Sequence, residues 1–407
     1  MDWQTLSEKL KSLGMQLGKE QLLKTAATKN IPIDTILDGT DLETIYGEAF
    51  FTSDHYDLNY KHGNVFLKKP QTFDLVAYYA KVPQIDQSQF KNIIFLDTET
   101  TGLAGGTGTL AFMIGVGRFT DDGFVINQYF LRQPGEEAAA LAALTQFLDP
   151  LAAVCTYNGK TFDIPLMNTR YIMQAMKSPF INLPHFDLLA LSRRLWRDRL
   201  ISCTLGNIER EILGVMREEQ EVPGYLIPEL YTDYLRSGDA RSMKGVFYHN
   251  AIDILSLAAL FVYAAGFLSD PHIYQTVDGI DLASLGRLYK ALGYDEHATK
   301  VFDESLKRNL PKEIYIKTLM HYANIFKQKK EPAKAVGLWE KAAEEHSIDA
   351  CVELAKYYEH CSKEYDKAII WTLQGIALAE NEPVLLEALA HRKQRLDRKI
   401  EQPNFEK

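Results

Sequence analysis

An apolar run that ends in two acids is the feature that most constrains the fold of this chain. Residues 92–96 form a near-continuous apolar run, as expected of a strand buried on both faces. Asp97 and Glu99 follow two positions apart, so strand geometry places both side chains on the same face. Two carboxylates on one face repel unless a cation lies between them, and hard oxygen ligands favour Mg²⁺ or Mn²⁺. The pattern predicts either a metal site or two solvated acids at a strand end.

The segments around this strand predict an α/β fold. Apolar runs at 110–119 and 124–131 indicate two further strands of a meander, and 152–157 indicates a later buried strand. Helical patterns follow at 135–148 and 162–176. A meander followed by alternating helices and strands predicts a mixed sheet flanked by helices.

Three more polar residues fall at positions where chemistry is plausible. Asp163 opens the helix after the fourth strand, where an acid that favours the helix dipole is the alternative interpretation. Asp253 lies in the helical run 246–263, which is otherwise apolar on most faces, so this acid needs a partner or a metal ion. His249 lies one helical turn before Asp253 on the same face. It is a candidate general base, or else a satisfied core histidine.

These three segments resemble the motifs of the DEDD exonucleases, the proofreading-type branch of the ribonuclease-H-like fold. Residues 95–103 resemble the first motif, residues 158–163 (Asn-x-x-x-Phe-Asp) the second, and the segment that ends at residue 253 the third. The resemblance implies two bound Mg²⁺ or Mn²⁺ ions. The implied ligands are Asp97, Glu99, Asp163 and Asp253.

The third motif departs from both standard subtypes of that family. One subtype has His five residues before the last Asp, and the other has Tyr four residues before it. Here Tyr248 is five residues before Asp253 and His249 is four before it, so the two are exchanged. We favour His249 as the base, because an imidazole with an ordinary pKa of about 6.5 suits neutral pH better than a phenol of about 10. A helix unwound before Asp253 would favour Tyr248 instead.

A longer resemblance is to the YprB family of bacterial proteins. It rests on residues 103–109, 193–196 and 226–231 and covers roughly residues 90–400. It implies a ribonuclease-H-like domain joined to C-terminal tetratricopeptide-like repeats. It also implies a metal-dependent 3′→5′ exonuclease that acts on DNA in repair, alongside a helicase. Two alternatives stay open: an RNA 3′→5′ exonuclease, and a non-catalytic scaffold whose repeats recruit a partner protein.

The C-terminal part of the chain shows a repeating pattern of alanines. Ala298, Ala335 and Ala368 are separated by 37 and 33 residues, close to the ~34-residue period of tetratricopeptide helix pairs. In each case a larger residue follows one turn later, as in Phe302 and Trp339. This pattern predicts about three stacked helix pairs, an all-α domain that would bind a protein partner.

The chain is expected to divide into three parts. The first is a lead-in with a helix at 2–29 and then short strands, the second is the ribonuclease-H-like domain, and the third is the repeat domain. The expected bounds are 1–90, 91–275 and 276–407.

Several further residues are candidates for contact with the substrate. A strip on 192–199 carries four arginines against one acid and could contact phosphates, with Trp196 available for stacking or for packing; a solvated helix face is the alternative. Asp187 is expected to cap a helix or to support the metal site, and Asn158 to orient a ligand or to form a turn. The candidate contacts are Thr100, Gly102, Leu103, Asn158, Arg193, Arg194 and Trp196.

Composition limits the remaining possibilities. With 45 basic and 54 acidic residues the net charge is −9, so a bulk positive field does not hold this protein to nucleic acid, although a local basic groove could. The four cysteines form no CxxC pair, which argues against a structural zinc site and a disulfide framework and fits a reducing cytoplasm. No apolar run of ~18 residues and no signal peptide is apparent, so no membrane association is expected.

Overall fold

The computed structural model describes residues 31–102, 106–217 and 221–401. The helix predicted at 2–29 and the candidate contact Leu103 lie outside these ranges. Nine strands are present in the described ranges. They are β1 (Gly39–Thr44), β2 (Gly47–Asp57), β3 (Lys61–His62), β4 (Val65–Phe66), β5 (Ile93–Thr100), β6 (Ala111–Phe119), β7 (Gly123–Phe130), β8 (Ala153–Thr156) and β9 (His185–Asp187).

Helices accompany the strands and then continue alone. Those up to residue 269 are α1 (Asp74–Ala80), α2 (Glu137–Leu148), α3 (Asp163–Met173), α4 (Leu188–Trp196), α5 (Leu205–Ile208), α6 (Ile227–Ser237) and α7 (Met243–Ser269). Those after it are α8 (Gly279–Ala291), α9 (Asp295–Leu306), α10 (Lys312–Gln328), α11 (Val336–Glu344), α12 (Ile348–His360), α13 (Tyr365–Leu378) and α14 (Pro383–Glu401).

Seven strands form one mixed sheet in the order β1-β2-β7-β6-β5-β8-β9. The strands from β1 to β5 in that order pair antiparallel, whereas β8 pairs parallel to β5 and β9 pairs parallel to β8. β5 therefore lies inside the sheet, with β6 on one side and β8 on the other. The predicted fold class, a mixed sheet flanked by helices and followed by an all-α region, is confirmed.

The sheet also includes strands that sequence analysis assigned to the lead-in. Strand β2 pairs with β7 over eight residues, from Phe50 opposite Phe130 to Asp57 opposite Gly123, and β1 pairs with β2. The boundary predicted at residues 90–91 thus falls inside the sheet domain. Nothing in the local sequence of β2 specifies its partner, because the pairing joins segments more than 60 residues apart.

The two faces of β5 pack against different helices. Ile94 and Leu96 are fully buried in a core with residues of α2 and α3. Ile93 and Phe95 are buried in a second core, which includes apolar residues of α7. The alternation follows from the period of two in a strand, and it determines which helix each later residue of β5 can reach.

Helix α7 crosses the sheet at close range because β6 carries glycines. A Cβ atom on Gly115 would lie 2.0 Å from Asn250 Oδ1, and one on Gly117 would lie 2.7 Å from Ile254. Together with the 3-10 turn before it, this helix spans Ala240–Ser269 and is, by length and composition alone, long and apolar enough to cross a bilayer. Of its most apolar window, 67% is buried inside the protein.

Each C-terminal helix packs against the next one along the chain. Ala298, Ala335 and Ala368 are each 0% exposed, and Trp339 is 3% exposed, as the predicted contact of small with large residues requires. One apolar core includes residues of α7, α8 and α9 together with Ile325 of α10. The boundary predicted at 275–276 therefore lies within a continuous core. The tetratricopeptide-like assignment of these helices stays a prediction.

Candidate active site

Consecutive residues near the end of β5 contact helices on opposite faces of the sheet, α7 and α3. Asp97 faces α7, where Asn250 Nδ2 donates a hydrogen bond of 2.9 Å to Asp97 Oδ2. Thr98 points to the opposite face, and its Oγ1 donates a hydrogen bond of 2.6 Å to Asp163 Oδ1 at the start of α3. Glu99 shares the face of Asp97 and is buried.

Four carboxylates interact electrostatically at this end of β5. Burial raises the pKa of Asp97 well above its ordinary value, and the other acids raise it further, in the order Asp253, Glu99 and Asp163. Burial raises the pKa of Glu99 to about 8, with Asp253 and Asp163 contributing. Burial also raises the pKa of Asp163 to about 6, in spite of the hydrogen bonds it accepts. The structure thus brings all four acids named by the motif analysis within electrostatic reach of one another.

The chemistry of these donors fits a divalent cation. Carboxylate oxygens are the ligands that Mg²⁺ and Mn²⁺ prefer, and a bound cation would offset the repulsion that raises their pKa values. In the described ranges, no group of three or more His, Cys, Asp or Glu side chains is arranged to hold a metal ion. Oxygens of Asp97, Asp163 and Asp253 accept hydrogen bonds from side chains of the protein. The two predicted ions and their four ligands stay a prediction.

Arg217 supplies a positive charge that sequence analysis did not find. Its guanidinium donates two hydrogen bonds of 2.6 Å to Glu209, which lies in a π-helical turn directly after α5. It also donates to Asp253 and, at 2.6 Å, to Glu221. Arg217 is 13% exposed at its side chain, and Glu209 2%. Burial raises the pKa of Asp253, while His249 and Arg217 oppose that effect.

His249 lies beside Asp253, as their spacing on a helix predicts. Its Nε2 is 3.7 Å from Asp253 Oδ2, and its Nδ1 is 3.4 Å from Glu221 Oε1. Helix α7 is continuous through both residues, so the unwound helix that would favour Tyr248 is absent from the described structure. Tyr248 interacts instead with Tyr60, whose pKa is raised by burial and by that neighbour.

Asp187 ties the second motif to the sheet. It caps α4 by accepting a hydrogen bond from Leu189 N, and its two oxygens also accept from Asn158 N and Lys160 N at 3.0 and 3.1 Å. Asp187 also contributes to the raised pKa of Asp163. Asn158 has a φ of 67°, so the structure places it in a turn, the alternative considered above.

The glycine-rich connection between β5 and β6 is held at both ends. Thr100 Oγ1 donates a hydrogen bond of 2.9 Å to Gly102 O. Arg170, whose partner is Glu137, donates to the carbonyls of Thr107 and Thr109 at 2.9 and 3.3 Å. A Cβ on Gly102 would meet nothing within 4 Å, so this position leaves open space next to the acids.

The side chains of the arginine strip differ in their surroundings. Trp196 is 1% exposed and packs against Tyr263 and Phe267 of α7, so it cannot stack on a base; this candidate contact was wrong. Arg194 donates to the carbonyl of Arg287 on α8 at 2.7 Å, whereas Arg193 is exposed. The local sequence of α4 could not show this, because the contacting helices come from much later in the chain.

Two buried polar residues that sequence analysis missed, Asn250 and Gln128, form a hydrogen-bonded pair next to Asp97. Asn250 is 0% exposed, and its Oδ1 accepts a hydrogen bond of 3.0 Å from Gln128 Nε2 on β7. Gly115 on β6 leaves the space that Asn250 occupies. The sequence signal for Asn250 was a polar amide in an otherwise apolar helix, next to His249. A buried amide needs hydrogen-bond partners, and here they lie on the sheet.

A cleft opens beside Asp253. Its volume is about 630 Å³. Its polar lining is made of Ser202, Thr204, Asn207, Glu209, Arg210, Arg217, Glu221, His249 and Asp253. The cleft therefore combines acids, two arginines and hydroxyl or amide groups, a lining that can bind a phosphate-containing chain next to the carboxylates.

Comparison with known families identifies the class of this domain. A family model for the RNase_H superfamily, RNase_H_2, matches residues 94–265, the segment that holds all four acids and His249. The sheet domain is thus a nuclease-type domain of the ribonuclease H superfamily. Over 284 residues the chain is 33% identical to "Uncharacterized protein YprB" of Bacillus subtilis (strain 168), an alignment that covers 68% of this chain and 67% of that protein. The chain belongs to the family of that protein.

Proposed function

We propose that this protein is a metal-dependent 3′→5′ exonuclease that hydrolyses phosphodiester bonds of DNA. The observation that carries the proposal is the convergence of Asp97, Glu99, Asp163 and Asp253 at the end of β5, where Thr98 and Asn250 hold Asp163 and Asp97 by hydrogen bonds. Mg²⁺ or Mn²⁺ ions held by these acids would polarise the attacking water and offset charge on the phosphate. The two-ion arrangement is part of the proposal.

The histidine next to the acids is the base in this proposal. Its Nδ1 lies 3.4 Å from Glu221 Oε1 and 3.3 Å from Arg217 Nη1, and in this proposal Nε2 is the nitrogen that accepts a proton from water. Nε2 is the atom that faces Asp253. His249 would therefore remove the proton of the attacking water on the side where the acids lie.

Strand polarity, the preference for DNA over RNA, and a role in DNA repair with a helicase partner rest on the family resemblance. The proposal that the C-terminal helices bind a protein partner rests on the repeating pattern of alanines. The cytoplasm as location is supported by four cysteines that are all free thiols. We identify no residue in the lining of the described cleft that distinguishes RNA from DNA by its 2′-hydroxyl. RNA is therefore the second substrate to test.

A non-catalytic scaffold is the second candidate function. The observation that favours it is the contact between Arg217 and Asp253, because an internal cation already neutralises one of the four acids. The two candidates differ in whether a divalent ion displaces that contact.

Digestion of labelled strands separates these candidates. Single- and double-stranded DNA and RNA, labelled at the 5′ or the 3′ end, are incubated with Mg²⁺, Mn²⁺ or EDTA. An exonuclease of 3′→5′ polarity releases the 3′ label first as mononucleotides and shortens the 5′-labelled strand stepwise, and EDTA abolishes both. The variant Asp97→Asn should lose this cleavage. Its matched control is Asp233→Asn, which changes an acid on α6 that is 60% exposed.

Each outcome of this digestion tests one part of the proposal. Stepwise cleavage of RNA with DNA left intact would show that the substrate is RNA. Internal fragments would show that the protein is an endonuclease. Absence of cleavage with every strand and ion would contradict catalysis and favour the scaffold.

A further inference from the structure

A group of cationic side chains lies where α4 meets α8 and α10. We name it the junction cluster. It consists of Arg194 and Arg197 at the end of α4, Arg287 and Lys290 on α8, and Lys317 on α10.

One carboxylate, Asp198, is shared among three of these cations. Arg287 Nη2 donates a hydrogen bond to Asp198 Oδ2, Lys317 Nζ lies 3.4 Å from the same oxygen, and Arg197 Nε lies 3.9 Å from Oδ1. Arg194 donates instead to the carbonyl of Arg287 at 2.7 Å. Among the described residues, Arg287 Nη1 is buried and has no acceptor. The cluster therefore holds more donors than acceptors.

The neighbouring histidine reports the same excess of positive charge. Burial lowers the pKa of His321 to about 4, with further lowering by Lys290, Arg287, Lys317 and Arg194. Burial also lowers the pKa of Arg287; Asp198 opposes this effect, and Arg194 and Arg197 add to it. Four helix-borne cations thus face one imidazole, in a chain whose net charge is −9.

The cluster is open to solvent on one side. Arg197 is 66% exposed and Lys317 is 41% exposed at their side chains. Lys317 and His321 also line a cavity of about 560 Å³, together with acids such as Glu313 and Glu353.

Helix α4 connects this cluster to the candidate active site. Its cap, Asp187, holds the turn at Asn158. At a rise of 1.5 Å per residue, Arg194 lies roughly 10 Å farther along α4. The turn at Asn158 and the cluster thus lie at opposite ends of α4.

We propose that the junction cluster binds a backbone phosphate of the nucleic-acid strand that the active site degrades. The inference rests on the proposed function for its substrate class. Phosphate oxygens would accept the surplus hydrogen bonds of the guanidinium groups, which suit that geometry. The cluster would position the strand without reading its sequence.

Binding of a single strand under conditions without cleavage tests this inference. A fluorescein-labelled 20-nucleotide DNA strand is titrated with the full chain in EDTA at several salt concentrations, followed by anisotropy. The test variant is Arg197→Met/Lys317→Met, which changes two exposed cations. Its matched control is Arg236→Met/Lys334→Met, which removes one arginine and one lysine that are 74% and 62% exposed and pair with Asp233 and Glu331.

We expect the test variant to bind the strand more weakly, by roughly tenfold for each phosphate that it no longer holds. Its plot of log affinity against log salt should be shallower by about 0.7 for each such phosphate. The control variant should match the parent chain. Thermal unfolding of each variant shows that the fold is retained, and Arg194→Met provides a second test on α4.

Two results would overturn the inference. If the parent chain binds and cuts the strand and the test variant keeps its affinity and salt dependence, the cluster only braces α4 against α8 and α10. If tripolyphosphate competes as strongly as an unlabelled strand at equal phosphate concentration, the site binds free polyanions rather than a strand. A parent chain that neither binds nor cuts any strand would instead refute the proposed function.

Discussion

The guanidinium of Arg217 donates a hydrogen bond to the carboxylate of Asp253, an acid that the sequence predicts to be a metal ligand. The two residues are 36 positions apart in the chain. The same guanidinium also binds Glu209 and Glu221, so one cation neutralises acids from three segments. A divalent ion that binds Asp253 must compete with Arg217 for this carboxylate.

Replacement of Arg217 should expose that competition. We expect Arg217→Met to lower the free energy of unfolding by about 3–5 kcal/mol in EDTA, because Glu209 is 1% exposed and would keep a buried charge without its partner. The variant should also bind Mn²⁺ more tightly, as measured by electron paramagnetic resonance of the free ion.

The control for this prediction removes both charges. Glu209→Gln/Arg217→Met should recover part of that stability, because the buried acid is then neutral. Unchanged stability and unchanged Mn²⁺ affinity in Arg217→Met would show that the observed contact has no energetic weight.

Asp97→Asn should abolish cleavage and keep the fold. Burial raises the pKa of Asp97, and the acids Asp253 and Glu99 raise it further, so a neutral amide removes repulsion in the ion-free protein. We therefore expect an unfolding temperature in EDTA equal to or above that of the parent, measured by calorimetry. Cleavage at the parental rate would refute the assignment of this site.

His249 and Tyr248 should differ strongly in their effect on rate. His249→Ala should slow cleavage about 10²–10⁴-fold, as for the loss of a general base, with Mn²⁺ affinity nearly unchanged. Tyr248→Phe should have a much smaller effect, because that side chain interacts with Tyr60. Single-turnover cleavage rates of both variants on one DNA strand test this prediction. A larger loss of rate in Tyr248→Phe than in His249→Ala would assign the base to Tyr248.

Glu359 should make the C-terminal helices sensitive to acid. It is 2% exposed on α12 and pairs with Arg392, Arg395 and Lys399 of α14. Burial acts to raise the pKa of Glu359, but hydrogen bonding and charge from Arg395, with other cations, lower it to about 2. Because this value lies below the ordinary 4.5, the stabilisation is present above pH 4.5 and disappears as the pH falls towards 2.

The substitution Glu359→Gln should remove this dependence. We expect a loss of about 3 kcal/mol near neutral pH for one partner of a buried ion network, measured by urea unfolding. Between pH 4.5 and 2 the variant should change less than the parent. The exposed Glu387→Gln on α14, 77% exposed, is the matched control, and equal acid sensitivity in all three chains would contradict the role of Glu359.

A chain that ends near residue 275 should be less stable than the full chain. Leu282, Leu285 and Leu288 of α8 are each 0% exposed and share a core with α7. Their removal uncovers apolar surface on α7 that is buried in the full chain. We expect a lower unfolding temperature and aggregation, measured by calorimetry and light scattering. A monomeric truncation with the parental unfolding temperature would show that the sheet domain folds alone.

The sequence by itself determined the parts of this protein that depend on local pattern. The apolar run before Asp97, the two-residue spacing to Glu99 and the four-residue spacing from His249 to Asp253 predicted their strand and their helix. These patterns succeed because the period of a strand or a helix is set by neighbouring residues. The mixed sheet and the helical region after it followed from the order of such segments.

Only the tertiary structure decided which distant residues meet. It placed Arg217 on Asp253 and Asn250 on Asp97, added β2 to the sheet beside β7, and buried Trp196 against α7. It also joined Asp198 to Arg287, 89 positions later in the chain. Each of these contacts joins segments that are far apart in the chain. The local period of a strand or a helix does not specify such contacts, because their geometry depends on how the helices pack on the sheet.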